Sequence, residues 1–181
     1  MNRLQNAWRP LLLGLVLLSV LVGVAGAMPT HQPSALGTPR QLVISAADFY
    51  PCDDSYDYSN YGDVIYLGGG TSLGYFVAPV DFPYPLWVTI DKLELFAYDN
   101  NSAGRIEAYL YLGSPASFGH QEIGYVETGV SYASPAYGTW QDTTISPNVK
   151  NPAHDVYLRV YINADTNLKL FGVRVFYYMG R

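Results

Sequence analysis

From Gln41 onward the apolar positions recur every second residue rather than every third or fourth, the spacing of half-buried strands. The alternation is cleanest in Arg105–Leu112. Ile106, Ala108, Leu110 and Leu112 form the apolar side there, opposite Arg105, Glu107, Tyr109 and Tyr111. It returns where Val156, Leu158, Val160 and Ile162 oppose Tyr157, Arg159 and Tyr161. Leu86, Val88 and Ile90 alternate, and Leu93, Leu95 and Ala97 resume after a shift of phase near Asp91, which predicts a bulge or a bend between sheets. A last strand over 168–178 is broken in phase at Gly172, where a bulge is again expected. Residues 41–47 open the first strand, Val64–Leu67 and Leu73–Ala78 flank a Gly68-Gly69-Gly70 hairpin turn, and weaker strands are predicted at 122–128 and 138–145. Residues 48–62 read as a long acidic, tyrosine-rich loop.

After position 40 no window of eleven residues carries a helical period. Roughly eight or nine strands separated by turn residues predict an all-β, two-sheet antiparallel β-sandwich, most simply a jelly roll of two four-stranded sheets. The composition agrees, with 17 tyrosines, 17 glycines and 12 prolines in 181 residues.

The first 40 residues follow another pattern. Arg3 and Arg9 precede an apolar run, Leu11–Val24, and Ala25-Gly26-Ala27 ends it with small residues at alternate positions. This is the layout of a secretory signal peptide over 1–27, with Met28 as the expected first residue after cleavage. The rival reading is an uncleaved anchor, but Leu11–Ala27 is near the short limit for a span and no basic cluster follows. Residues 28–40, with Pro29, Pro33 and Pro39, form a proline-rich tether, and 41–181 the β-sandwich domain. The expected location is therefore outside the cell or at its surface, without membrane insertion after cleavage.

Several features of this domain, in order, resemble a group of exported bacterial β-sandwich proteins of uncharacterised function. They are Ala47-Asp48-Phe49-Tyr50-Pro51, the glycine run at 68–70, Ala78-Pro79-Val80 with Pro83, the strand ending in Tyr98-Asp99-Asn100, and Gly172-Val173-Arg174-Val175 before a final tyrosine. The resemblance covers about residues 46–178 and implies fold and export, with no chemistry attached. Pro83-Tyr84-Pro85-Leu86 stands where such proteins usually carry a glycine-containing turn.

Charge then removes one class of partner. The chain has a formal charge of −5, all 15 carboxylates lie beyond Ala27, and the basic residues are scattered singly, so no nucleic-acid partner is expected. Cys52 is the only cysteine and has two readings: a half-buried thiol packed as a small hydrophobe, or an intermolecular bridge in an oxidising compartment.

Candidate chemistry is sparse. Gly70-Thr71-Ser72-Leu73-Gly74 fits the serine-hydrolase pattern, which works only where a strand turns sharply into a helix; a strand follows here, so Ser72 is not expected to act as a nucleophile. His120 and His154, with Asp99 or Asp142 behind them, show no spacing that ties them together. Asp53, Asp54 and Asp57 could gather around Ca²⁺, yet they lack the D-x-D-x-D-G spacing of a calcium loop, so no cofactor is expected. The histidines and single cysteine have no zinc-ligand spacing. Asn100-Asn101-Ser102 has the form of a glycosylation sequon and equally of an Asx turn.

The most informative candidates are aromatic. Tyr109, Tyr111, Tyr157 and Tyr161, with Arg105 and Arg159, fall on the sides opposite the core alternations. Such rings suit stacking on a sugar or on another protein, and equally suit plain cross-strand pairing on a solvated sheet. Trp87 and Trp140 read as core or loop anchors, since neither has a second tryptophan near it. The function expected is a secreted, non-catalytic structural, adhesive or protein-interaction module, contacting another protein or its own copies. The alternative is a carbohydrate-binding module that recognises a polysaccharide through exposed tyrosines. No enzyme is expected.

Overall fold

The chain divides into two units, residues 1–35 and 36–181. The computed structural model describes residues 37–179, apart from 69–70, 72, 84–86, 102, 115–116, 130–135, 146, 151–154 and 164–166. The expected signal peptide, residues 28–36 of the tether, Ser72, Tyr84-Pro85-Leu86, Ser102 of the sequon and His154 lie outside the described residues. Among the described residues no helix is long and apolar enough to cross a membrane.

The described strands are β1 (Arg40–Ser45), β2 (Tyr50–Pro51), β3 (Tyr58–Asn60), β4 (Ile65–Leu67), β5 (Leu73–Pro79), β6 (Trp87–Asp99), β7 (Ile106–Ser114), β8 (Ser117–Glu127), β9 (Ala136–Asp142), β10 (Asn148–Lys150), β11 (Asp155–Asn163) and β12 (Leu168–Met179). A 3-10 turn, Ala46–Asp48, follows β1, and Asp48 closes it by accepting the Ser45 N–H at 2.8 Å. In the first sheet β6 and β12 lie side by side at the centre. β9 and β10 run along the other edge of β6, while β1 and β4 run along β12, with β3 beyond β4. The second sheet has the order β2-β5-β11-β7-β8. All these pairings are antiparallel.

The pairings nest. Taking the main strands in chain order as β4, β5, β6, β7, β8, β9, β11 and β12, the first pairs with the last and the second with the seventh; the third pairs with the sixth and the fourth with the fifth. A long hairpin rolled into two sheets produces this nesting, and it is the jelly roll that the strand pattern predicts.

The inward faces supply the core. Ile65, Leu67, Phe76, Leu93, Leu95, Leu110, Leu158 and Leu170 are all fully buried. Removing each such side chain from water contributes about 1.5–3 kcal/mol, which compensates for the missing disulfide. Both expected bulges are present. Phe176 pairs with Lys92 and Tyr177 with Ile90, so Asp91 is the extra residue that lets Ile90 and Leu93 both face inward. Leu170 pairs with Ala97 and Gly172 with Phe96, which leaves Phe171 unpaired on the ladder. The phase shift near Asp91 is therefore a bulge within one strand of one sheet.

Some boundaries differ from the sequence reading. The expected strands at 122–128 and 138–145 are Ser117–Glu127 and Ala136–Asp142, and β10 is additional. The loop over 48–62 contains β2 and β3. The glycine run does not close a hairpin, because β4 belongs to the first sheet and β5 to the second. Glycine is needed there for a crossing between sheets: Asp57 packs against Gly68, and the Gly68 N–H donates to the Asp57 carbonyl at 2.7 Å.

The β6–β7 crossing is pinned by buried polar groups. The Thr128 hydroxyl donates to Asp99 Oδ2, the Asn101 N–H donates to Asp99 Oδ1 at 2.9 Å, and the Ile106 N–H donates to Thr128 Oγ1 at 3.1 Å. Asp99 and Thr128 are fully buried, so these bonds are what make their burial tolerable. Asn101 Oδ1 accepts from the N–H groups of Ala103 and Gly104 at 2.7 and 3.0 Å, an Asx turn.

Candidate functional site

The second sheet carries a tyrosine field on its outer surface. Register brings it together: Tyr157 stands opposite Tyr111 and Arg159 opposite Tyr109 on β11 and β7. Tyr161 is opposite Tyr75 on β5, and Tyr109 opposite Tyr125 on β8. Side chains at these positions alternate with buried Phe76, Ala108, Leu110, Leu158 and Val160, so they point away from the core.

The rings touch in a continuous chain. Tyr56 meets Tyr75 at 6.5 Å between centroids, Tyr75 meets Tyr161 at 4.4 Å, Tyr161 meets Tyr109 at 5.1 Å, and Tyr109 meets Tyr125 at 4.8 Å. A branch runs from Tyr109 to Tyr111 at 6.1 Å and on to Tyr157 at 5.3 Å, the last pair stacked within 21°. His120 stands edge-on to Tyr111 at 5.3 Å. The expected set of Tyr109, Tyr111, Tyr157 and Tyr161 therefore shares one face, together with Arg105 and Arg159. Sequence reading missed Tyr56, Tyr75, Tyr125 and His120. The alternation signal was present for Tyr75 beside Phe76 and for Tyr125 beside Val126, but the sheet neighbours of β5 and β8 depend on long-range pairing.

Charges thread the field. Arg105 pairs with Glu107, and with Glu127 at 3.2 Å, while the Tyr109 hydroxyl donates to Glu107 Oε2 at 3.0 Å. Arg159 lies over the Tyr111 ring at 5.4 Å, and its Nε, shielded from water, has no hydrogen-bond partner. A hydrogen bond to Tyr161 holds that guanidinium above its ordinary range. Leu73, Tyr75, Ala103, Arg105, Glu107, Tyr161 and Asn163 line an open groove at one end of the face.

Desolvation first, and the hydrogen bond to Glu107 second, push Tyr109 up to about 12. Desolvation followed by Glu127 pushes Tyr125 up as well. Because the fold favours the neutral phenols, this contribution to stability is complete below pH ~10, the unfolded tyrosine value, and is lost as pH rises through the folded value. A spectrophotometric titration is expected to show a late phase of phenol ionisation toward pH 12, where Tyr109 lies. Tyr109→Phe should shrink that late phase; an unchanged late phase would count against the assignment.

The other candidates do not converge. Among the described residues no three histidine, cysteine, aspartate or glutamate side chains are grouped to hold a metal. Asp53 Oδ1 accepts from the Ser55 N–H at 2.8 Å, and these Ser55 hydrogen bonds hold its carboxyl below the usual range. All three aspartates, Asp53, Asp54 and Asp57, are exposed, and Asp57 packs on Gly68 while its N–H donates to Thr71 Oγ1 at 2.7 Å. Asp99 is committed to Thr128, and Asp142 accepts from the Tyr125 N–H at 3.2 Å, which leaves neither behind His120. Cys52 is exposed, where the packed-thiol reading expected it half-buried. Its N–H donates to the Tyr75 carbonyl at 2.8 Å, placing it at the sheet edge. Desolvation pushes the thiol up and Arg159 pulls it down. Trp140 packs against the core, while Trp87 is 43 % exposed at the start of β6.

No protein-family model matches the chain, and no curated protein matches it. The resemblance to exported bacterial proteins thus gains no sequence relative, and its β-sandwich part is what the structure carries. Among solved structures, the chain is similar to a truncated AlyQ with CBM32 and alginate lyase domains, at 12 % identity and a TM-score of 0.42 over 78 % of this chain. It is also similar to a structure of the infectious bursal disease virus Gx strain, at 12 % identity and a TM-score of 0.36 over 80 % of this chain. The chain spans about a third of the length of these two neighbours, 34 % and 33 % respectively.

Proposed function

We propose that this protein is a secreted, non-catalytic β-sandwich module that makes protein contacts, with another surface protein or with its own copies, through the tyrosine face of its second sheet. One observation supports the reading most. A connected field of tyrosine rings spans β5, β11, β7 and β8, with Arg159 inside it and no carboxylate paired to that arginine among the described residues. Tyrosine and arginine are the side chains enriched at the energetic centres of protein interfaces, where rigid rings bury large area at small entropic cost. Tyr75 and Tyr109 both stand edge to face against Tyr161, and Tyr109 spends its hydroxyl on Glu107, which takes one donor of the field away from sugar hydroxyls. Export rests on the Arg3-to-Ala27 pattern.

The carbohydrate reading has its own support in the near-parallel Tyr111 and Tyr157 rings and the polar groove beside Tyr161. Light scattering over a concentration series, run beside pull-downs on cellulose, chitin and peptidoglycan, separates the two. Protein contact is expected to appear as concentration-dependent association or capture of a surface protein, with no retention on the polysaccharides. Replacing Tyr157 and Tyr161 by alanine should weaken association at least about thirtyfold, the scale of one aromatic anchor. A strict monomer that is retained on polysaccharide overturns the proposal.

A further inference from the structure

The first sheet also has an aromatic outer face, which the sequence reading left unnoticed, and its charge is opposite to that of the tyrosine field. β6 presents Lys92, Phe96 and Tyr98 outward, because Leu93, Leu95 and Ala97 are buried, and Glu94 on the same side is itself buried and paired to Lys92 and Arg174. β12 presents Lys169, Phe171, Arg174 and Phe176 beside them. Cations lie on rings throughout: Lys92 over Phe176 at 3.8 Å, Arg174 over Phe96 at 4.6 Å, and Lys169 over Tyr98 at 5.5 Å. Tyr137 on β9 packs against Tyr98 at 4.7 Å and against Phe171 at 5.8 Å, yet is 74 % exposed. Phe96, Gly138, Thr139 and Phe171 complete a shallow apolar groove around it.

On this face Lys92, Lys169 and Arg174 stand against Glu94, with Asp91 in the bulge at its rim. The tyrosine face has the reverse balance, with Glu107, Glu122, Glu127 and Asp155 against Arg105 and Arg159. The acidic loop bearing Asp53 adjoins the tyrosine face through Tyr56. The two surfaces are broad, sheet-flat and aromatic, and they lie on opposite sides of the sandwich.

We infer that copies of this module stack head to tail, the cationic aromatic face of the first sheet seating on the acidic tyrosine face of the second sheet of the next copy. The inference rests on the protein-contact reading and names its partner. Complementary potentials favour this register, and placing either face on its own copy would oppose like charges. A field about four strands wide and seven residues long, at about 4.8 Å between strands and 3.3 Å per residue, covers roughly 440 Å² per partner. That is the size of a weak, transient contact, so association in the micromolar range or weaker is expected. A heterologous contact leaves one free face at each end, so mass should keep rising with concentration instead of levelling at a dimer.

Two single-face variants test this. Tyr137→Glu with Lys169→Glu disables the first-sheet face, and Tyr157→Ala with Tyr161→Ala, which leaves the acidic charge of the second-sheet face in place, disables the other; circular dichroism and melting verify that both fold. Each alone is expected to associate at least tenfold more weakly than the native chain. Mixed in equal amounts, the two offer one intact face each and should form a 1:1 heterodimer that grows no further. Raising the salt from about 0.05 to 0.5 M should weaken native assembly, since facing charges are screened within a Debye length of about 10 Å or less above 0.1 M. If the first-sheet variant still associates like the native chain while the second-sheet variant is monomeric, the tyrosine face pairs with itself. The head-to-tail inference is then overturned while the protein-contact reading stands. A native chain that stays monomeric at millimolar concentration overturns the inference and removes self-contact from that reading too.

Discussion

Phe76→Ala is expected to lower the stability of the sandwich by about 3–5 kcal/mol, the cost of deleting a large aromatic side chain from a closed core. Phe76 lies on β5, is fully buried, and projects inward opposite the tyrosine face. The Tyr58 ring meets it edge-on at 5.3 Å and Tyr56 tilts against it at 6.3 Å, so its loss also removes the floor under the acidic loop. For a domain of this size such a change moves the melting temperature down by roughly 6–20 °C. Phe76→Leu, which keeps most of the volume, should cost well under half as much. Denaturant titration of the three proteins reads the difference. A loss below about 1 kcal/mol for the alanine variant would mean that the cavity collapses freely and that β5 does not anchor the second sheet.

Gly172→Ala should be nearly as damaging although it adds only one carbon. Gly172 has φ +155°, and a Cβ placed on it would lie 2.5 Å from the Ile44 carbonyl oxygen. The obstacle is backbone and cannot rotate aside. Strain of about 1–3 kcal/mol at the disfavoured φ adds to a similar cost of overpacking. The ladder has to open where β1 meets β12, at Ser45 opposite Gly172 and Ile44 opposite Val173. Hydrogen exchange should therefore show β1 amides losing protection before those of β11. Gly113→Ala is the control, since its nearest new contact, the Asp155 carbonyl oxygen at 3.5 Å, is ordinary. If the two alanine variants melt together, the close approach of β1 at Gly172 is not the reason glycine stands there.

The two glycine sites show how far local pattern reaches. A break in alternation at Gly172 announces a bulge because apolar residues on either side must both face inward, and Asp91 between Ile90 and Leu93 does the same. Neither break says that β1 lies against one of them, because that contact joins residues far apart in the chain. The glycine run at 68–70 shows the limit from the other side. Its composition announces a turn, but whether a turn closes a hairpin or carries the chain to another sheet depends on which partners each strand finds.

The sequence by itself determined the class of fold, the inward face of nearly every long strand, both bulges, and the outward placing of Tyr109, Tyr111, Tyr157, Tyr161 and Arg159. All of these follow from a period of two, since burying one side of a strand exposes the other. Tertiary structure alone decided the nested pairing of first strand with last and the joining of Tyr56, Tyr75 and Tyr125 to the field. It also decided the second aromatic face, where Lys92 and Arg174 converge on Glu94 from two strands. These depend on the order and register of strands within the sheets. Order and register are chosen by packing the whole core at once, not by any single strand's alternation.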